Sequence, residues 1–218
     1  MASKIGFIYN MDIFKRIIYR LNIFVNLKQS IFGIENKLKI GKNVILKNCK
    51  LKIRGNENRI IIQDNCRIQD IEIRIFGNKN EIIFNEGIII VGKDFTGNKT
   101  EFVEACNDSR IIIGDKTTIG SGVLFLITED DKKIVLGNNC MIGYKITFRA
   151  GDGHSILDIN SQTRINYSKD IIIKDRVWIA AYCIIMKGVH IAEDCVIGTM
   201  SLVNRVFEEK NVVIAGNP

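Results

Sequence analysis

The feature that most constrains this chain is a ladder of large aliphatic residues at every sixth position between residues 171 and 203. An α-helix repeats every 3.6 residues and an alternating strand every two, so neither explains this spacing. A period of six predicts one short strand and one bend per unit, and three units close a triangular coil of about 18 residues. Stacked coils form a parallel β-helix, whose interior the large residues fill. The ladder is Ile173, Ile179, Ile185, Ile191, Ile197 and Val203, and small or β-branched residues stand two positions earlier at Ile171, Val177, Cys183, Val189, Cys195 and Ser201.

The ladder continues upstream with two interruptions, at residues 126–133 and 149–170. The pattern therefore predicts hexapeptide coils over residues 111–218, with a loop insertion at 149–170. The upstream members are Ile113, Ile119 and Phe125, followed by Leu136, Ile142 and Phe148.

A different repeat covers residues 36–110, where similar segments return at an offset of about 22 residues, the range expected of a solenoid. Gly55-Asn56 matches Gly77-Asn78 in this alignment. Glycine and asparagine tolerate positive φ, so each G-N-x-N segment predicts a turn at one corner of the coil. We expect these coils to be larger and less regular than the C-terminal ones.

The first 35 residues carry a different pattern. Ile13, Ile17, Leu21 and Phe24 recur at three- and four-residue spacing, with basic residues between them. This spacing predicts an amphipathic helix from residue 12 to about residue 29. We assign residues 1–35 as a helical cap on the β-helix of residues 36–218, since solenoid ends must be covered. A helix lying on a membrane surface is the alternative.

Composition narrows the possible partners and compartments. The formal net charge of +7 suits an anionic partner. Nucleic acid is disfavoured, because no basic run is interleaved with stacking aromatics. The six cysteines form no CxxC pair, which predicts buried thiols in a reducing compartment rather than a zinc ribbon. With no apparent signal peptide or apolar span, we expect a cytoplasmic protein, or one at the inner face of the membrane. The cysteines are Cys49, Cys66, Cys106, Cys140, Cys183 and Cys195.

Three side chains stand out as candidates for chemistry. His154 lies in the long loop, just after Gly151 and Gly153, a location that favours function over packing. His190 directly precedes the ladder residue Ile191, so it points outward from its coil. We interpret it as a surface residue without a catalytic role. Trp178 also points outward, and such a ring is unusual unless something covers it. It lines either an interface between subunits or a binding site.

The ladder, together with the segments DGHSI (residues 152–156), VWIA (177–180) and VIAGNP (213–218), resembles the hexapeptide-repeat acyltransferases. Within that family it is similar to bacterial capsule and polysialic acid O-acetyltransferases. The match covers about residues 110–218. The resemblance implies an all-β, left-handed parallel β-helix that forms a homotrimer, with acetyl-CoA bound in the cleft between neighbouring subunits. It implies no metal.

The resemblance also assigns roles to residues. His154 would be the general base that takes the proton of an acceptor hydroxyl, since imidazole exchanges protons near neutral pH. Trp178 would form a wall of the thioester or acceptor site. Cofactor contacts would come from Trp178, from Ala180 and Gly198, whose small size admits the pantetheine arm, and from Thr199 and Arg205, the latter near the CoA phosphates. Lys187 or Lys210 would supply further phosphate contacts, and Asp152, Asp158 or a backbone carbonyl would orient His154.

The expected function is therefore acetyl transfer to a hydroxyl of a bacterial surface glycan or its precursor. An N-acetyltransferase acting on an amino sugar is the alternative, because a neutral amine needs less help from a base. A non-catalytic glycan-binding or structural solenoid is an alternative of another class, and it would bind no acetyl-CoA. A zinc enzyme on the same fold is disfavoured, because the chain has only two histidines.

Overall fold

The computed structural model describes residues 22–93 and 96–217, and these residues form a left-handed parallel β-helix without any α-helix. The chain visits three flat sheets in turn, here called faces A, B and C. Every neighbouring pair of strands within a face is parallel and in register. The expected fold is confirmed.

Each face is one sheet whose strands follow in chain order. Face A contains β1 (Ile23–Val25), β4 (Ile45–Lys47), β7 (Arg67–Gln69), β10 (Ile89–Val91), β13 (Thr118–Ile119), β16 (Met141–Ile142), β19 (Trp178–Ile179), β22 (Val196–Ile197) and β24 (Val213–Ile214). Face B contains β2 (Lys28–Phe32), β5 (Lys50–Arg54), β8 (Ile71–Phe76), β11 (Thr100–Glu104), β14 (Leu124–Ile127), β17 (Thr147–Arg149), β20 (Ile184–Met186) and β23 (Leu202–Val203). Face C contains β3 (Lys37–Ile40), β6 (Arg59–Ile62), β9 (Glu81–Phe84), β12 (Arg110–Ile113), β15 (Lys133–Leu136), β18 (Ile171–Ile173) and β21 (His190–Ile191).

The length of a coil changes along the axis. Ile23 lies opposite Ile45 on face A, which is an offset of 22 residues. Near the C-terminus Trp178 lies opposite Val196, an offset of 18 residues. Met141 lies opposite Trp178, an offset of 37 residues, because the loop at 149–170 is inserted there. The 22-residue repeat is therefore confirmed, and 18-residue offsets appear only after the inserted loop, shortening to 17 residues between Val196 and Val213.

The interior is aliphatic, as the ladder predicts, with a column of aromatic rings in its middle. All twelve of the large residues predicted to point inward between Ile113 and Val203 are buried. Phe102, Phe125 and Phe148 stack with ring centroids 4.7 Å apart, which matches the spacing of neighbouring strands. The six cysteines are buried and free. Burial raises the pKa of the Cys66 thiol to about 11, so these thiols pack as small apolar groups.

The G-N-x-N corners, between faces B and C, are built as predicted. Gly55 has φ of +141°, and a Cβ there would lie 1.9 Å from the carbonyl oxygen of Gly77 in the next coil, so only glycine fits. The second asparagine of each motif is buried and forms a ladder along the axis. Asn58 donates from Nδ2 to Asn36 Oδ1 at 3.0 Å, and its own Oδ1 accepts from the backbone N–H of Asn80 at 2.9 Å. This ladder satisfies backbone donors that the corner would otherwise bury unpaired.

The predicted N-terminal helix is wrong for the part that the structure describes. From residue 23 to residue 32 the chain forms β1 and β2, which pair with β4 and β5 of the next coil. A β-branched and aromatic run such as Ile23-Phe24-Val25 also fits a strand, and parallel pairing satisfies its backbone groups. The β-helix therefore begins within the range 1–35 assigned to the cap. Residues 12–21 of the predicted helix lie outside the described residues.

Candidate active site

The loop of residues 149–170 leaves face B after β17 and returns on face C at β18, so it projects from the corner between these faces. Leu157 and Arg164 form an antiparallel bridge that makes the loop a short hairpin. Asp158 closes the hairpin turn by accepting from the backbone N–H of Ser161 at 2.8 Å, and this bond lowers the pKa of Asp158. Asp158 therefore shapes the turn rather than orienting His154.

His154 lies in the first arm of this hairpin, and its backbone is held on both sides by one residue. Asn166 donates from Nδ2 to the carbonyl oxygen of His154 at 2.8 Å, and its Oδ1 accepts from the N–H of Ile156 at 2.6 Å. Gly153, just before, has φ of +80°, which favours glycine. The ring of His154 is exposed, and within the described ranges no side chain hydrogen-bonds it. The imidazole is therefore available to a ligand.

Two ion pairs tie the loop to the β-helix. Lys187, just after β20, donates to Asp152 Oδ2 and to the carbonyl oxygen of Asn166, the latter at 2.9 Å. The Lys187 ammonium is the main reason that the pKa of Asp152 is lowered. On the other arm Arg164 pairs with Glu129, and this contact is the main cause of the lowered pKa of Glu129. His154 thus sits between two anchored points.

These contacts differ from the sequence expectations in two ways. Lys187 was expected near the CoA phosphates but binds Asp152. Asp152, one of the three candidates to orient the His154 ring, instead accepts hydrogen bonds from Lys187 and from Asn166 Nδ2, the latter at 2.8 Å. Sequence reasoning missed Asn166 entirely. No local pattern marks it, because its partners lie 10 to 14 residues away across the hairpin.

Trp178 points outward from face A, as predicted, with 48% of its surface exposed. Met141 and Val196 flank it in register on the neighbouring strands. Further along the same face, Ile89 and Val213 are also exposed, by 43% and 74%, and Thr118 lies in register between Ile89 and Met141. We call the five apolar residues the face A stripe. An exposed apolar stripe of this kind marks an interaction surface.

The small residues predicted to line the cofactor site lie at the corner between faces A and B. Ala180 follows β19 and Gly198 follows β22, and a Cβ added at Gly198 would lie 2.9 Å from the Cβ of Ala215. The corner is therefore closely packed at Gly198, and the exposed side chains of Tyr182 and Met200 lie in the same two turns. Thr199 and Met200, next in the chain, are exposed.

Arg205 lies elsewhere, at the corner between faces B and C on the last coil. Its guanidinium stacks over the ring of Phe207 at 5.0 Å from the centroid. Arg205 and Ala215 line one groove at the C-terminal end of the β-helix. Lys210, the other expected phosphate contact, pairs with Glu193. His190 points outward from face C and is only half-exposed.

A single chain therefore does not gather the predicted residues at one place. Trp178 lies on face A, and Ala180 and Gly198 lie at the corner of faces A and B. The loop with His154 leaves the opposite corner, between faces B and C. Among the described residues no group of three or more His, Cys, Asp or Glu side chains is arranged to hold a metal ion. In the same part of the chain no helix is long and apolar enough to cross a membrane.

Comparisons with known proteins agree with this architecture. The sequence profile of the bacterial transferase hexapeptide (six repeats) family matches residues 170–205. A polysialic acid O-acetyltransferase of Escherichia coli O1:K1 / APEC is 54% identical over 43 residues, which are 20% of this chain and 14% of that relative.

Two solved structures resemble most of the fold. The polySia-specific acetyltransferase NeuO is 30% identical with a TM-score of 0.71, and the match covers 88% of this chain and 78% of that one. The polysialic acid O-acetyltransferase OatWY is 29% identical with a TM-score of 0.73, covering 87% of this chain and 84% of that one. This chain therefore belongs to the hexapeptide-repeat acyltransferase family.

Proposed function

We propose that this protein transfers the acetyl group of acetyl-CoA to a hydroxyl of an acidic bacterial capsular glycan of the polysialic acid type. The observation that carries the proposal is the likeness over 88% of the chain to the polySia-specific acetyltransferase NeuO. It is supported by an anchored loop that presents a free imidazole. We also place the protein in the cytoplasm, where acetyl-CoA and glycan precursors are available.

The chemistry needs a base, a positioned thioester and a donor for the developing oxyanion. His154 removes the proton of the acceptor hydroxyl as that oxygen attacks the carbonyl carbon of the thioester. The carbon–sulfur bond then breaks, and the CoA thiolate takes the proton from His154. The indole N–H of Trp178 is available as a donor at the thioester or acceptor site.

The substrate is acetyl-CoA, and the surface of this chain fits parts of it. Gly198 and Ala180 are small, so a pantetheine arm can approach the backbone at these two positions of the corner, beside the exposed Tyr182 and Met200. Arg205 is an exposed guanidinium, which pairs well with phosphate. Thr199 is exposed beside Gly198 and is the remaining proposed contact.

We further propose that the active unit is a homotrimer with its sites between subunits. His154 and Trp178 project from different parts of the triangular cross-section, so a neighbouring copy has to supply one of them to a shared cleft. The face A stripe supplies the apolar surface for this contact. Sedimentation equilibrium should give three times the mass of the chain. A monomer that is fully active would contradict the assembly.

The transfer itself is tested with radiolabelled acetyl-CoA and three acceptors: polysialic acid, a neutral polysaccharide and a free amino sugar. We expect label on polysialic acid that mild alkali removes, because esters hydrolyse there and amides do not. Alkali-stable label on the amino sugar would favour N-acetyl transfer. If calorimetry showed no binding of acetyl-CoA, the protein would be a non-catalytic solenoid.

A further inference from the structure

The N-terminal end of the β-helix carries a large excess of positive over negative side chains. Residues 22–66, which form the first two coils, contain nine Lys and Arg side chains and three Asp and Glu side chains, a net charge of +6. The whole chain has a net charge of +7. The charge is therefore concentrated at the end of the solenoid that is remote from the last coils.

Four of the cations in this region, together with Arg74 of the next coil, project outward from face B on β2, β5 and β8, and we call these five the basic face. Lys28 lies directly opposite Lys50, and Lys52 lies opposite Arg74. Like charges opposite each other on neighbouring strands are unfavourable, and an anion laid across them removes the repulsion. The basic face consists of Lys28, Lys50, Lys52, Arg54 and Arg74.

Intramolecular partners neutralise only part of this face. Lys50 pairs with Glu72 at 3.0 Å, and Arg74 pairs with Glu101. For the remaining three cations, no carboxylate of the described residues lies within ion-pair distance. Lys52 Nζ stands 5.4 Å from the ring centroid of Phe76 instead. The face therefore keeps charges that solvent or a ligand must balance.

A shallow groove opens at the edge of the basic face. Its lining includes Phe32, Arg54 and Asn56, together with the backbone of Gly33 and Gly55. Phe32 is 61% exposed and lies opposite Arg54 in register. This pair of side chains fits a sugar that bears a carboxylate. The Phe32 ring can pack against the apolar face of the sugar, and the Arg54 guanidinium can pair with its carboxylate.

The groove lies on the same corner of the prism as the loop that carries His154. Arg54 ends β5 on face B, and the loop leaves face B at the end of β17, four strands further along the sheet. At about 4.8 Å per strand the two places are about 19 Å apart along the axis. A polymer laid along this edge would therefore span several sugar residues.

We propose that the basic face and the Phe32–Arg54 groove bind a stretch of the acidic acceptor glycan at a distance from the transferred acetyl group. This inference rests on the proposed function and extends it, because it makes the acceptor a long polyanion rather than a single sugar. The groove accepts one acidic sugar residue, and the unpaired lysines balance its neighbours in the chain. A glycan fits these observations better than nucleic acid, because one exposed ring offers no stacking platform for successive bases.

The test measures binding of polysialic acid to the full-length protein without acetyl-CoA. The double variant Lys52→Ala/Arg54→Ala removes two cations from the basic face. The matched control Lys37→Ala/Arg59→Ala removes two cations that lie opposite each other on face C of the same coils. We expect about tenfold weaker binding for the first variant and a change of less than about twofold for the control.

Kinetics give a second readout. For long polysialic acid the basic-face variant should show a raised KM with an unchanged kcat, whereas for a dimeric acceptor both constants should match those of the wild type. Equal binding by both double variants and the wild type would overturn the inference. So would tighter binding of duplex DNA, or of anionic lipid vesicles, through the same two residues. Because binding is measured without acetyl-CoA, a failure here is distinct from a failure of acetyl transfer.

Discussion

Glu104 is a carboxyl group inside the prism, and it gives the sharpest test of how the interior is packed. It lies on β11 with Ile75 and Ile127 beside it in register on the neighbouring strands. It is fully buried, and neither carboxyl oxygen has a hydrogen-bond partner among the described residues. Burial raises the pKa of Glu104 well above its usual range, and the charge of Glu81 adds to this effect. Glu104 is therefore held in its neutral form.

Replacing Glu104 with isoleucine should stabilise the protein. A buried polar group without a partner costs about 1–3 kcal/mol of stability. Isoleucine has a similar volume and continues the aliphatic column on either side. We therefore expect Glu104→Ile to raise the free energy of unfolding by about 1–3 kcal/mol near pH 4, and by more at neutral pH, measured by guanidinium unfolding followed by circular dichroism.

The pH dependence separates ionisation from packing. In the unfolded chain a glutamate titrates near pH 4.3, so between that pH and the raised pKa of the folded state the native protein binds the extra proton. The contribution of Glu104 protonation to the free energy of unfolding is therefore complete below about pH 4. It falls by about 1.4 kcal/mol per pH unit as the pH rises from there to the raised pKa of the folded state. Glu104→Gln keeps the polar group but removes this slope. A stability difference between Glu104→Gln and wild type that is constant from pH 4.5 to 7.5 would refute the reasoning.

Three further predictions follow from the packing and the loop. Lys187→Met should lower kcat for acetyl transfer about tenfold at unchanged KM for acetyl-CoA, because the loop arm that carries His154 loses its anchor. Lys187→Arg should keep part of the wild-type kcat, and steady-state kinetics of the two variants check both expectations. Ala180→Val, at a partly exposed position that already carries a Cβ, should raise the KM for acetyl-CoA without unfolding the protein, which steady-state kinetics and circular dichroism would show. Asn58→Ala should lower the free energy of unfolding by about 2–4 kcal/mol in denaturant titrations, since it leaves buried backbone groups of the corner unpaired. The control Asn204→Ala, at an exposed position without positive φ, should change it by less than about 0.5 kcal/mol.

The sequence predicts the shape of this protein well because a solenoid repeats one local environment. Ile179 and Ile197 occupy equivalent places in successive coils, so the spacing of a single side-chain type reveals the strand, the bend and the interior at once. The same holds for Gly55 and the buried asparagines, whose spacing reveals the corner.

The sequence predicts secondary structure and side-chain contacts less well where the chain leaves the repeat. The segment at Ile23 satisfies both a helical spacing and a strand, and only its pairing with β4 decides between them. Asn166 and Lys187 support His154 through contacts that span 12 residues or more, or that pass through Asp152, so no local pattern marks them. Their roles follow from the three-dimensional course of the loop.

The central claim is that His154 acts as the base for acetyl transfer to an acidic glycan. The most direct measurement compares wild type, His154→Ala and the control His190→Ala for the rate of acetyl transfer from acetyl-CoA to polysialic acid. Loss of a general base lowers kcat by about 10²- to 10⁴-fold, and we expect that loss for His154→Ala alone, with binding of acetyl-CoA unchanged. Transfer by His154→Ala within about threefold of wild type would contradict the account.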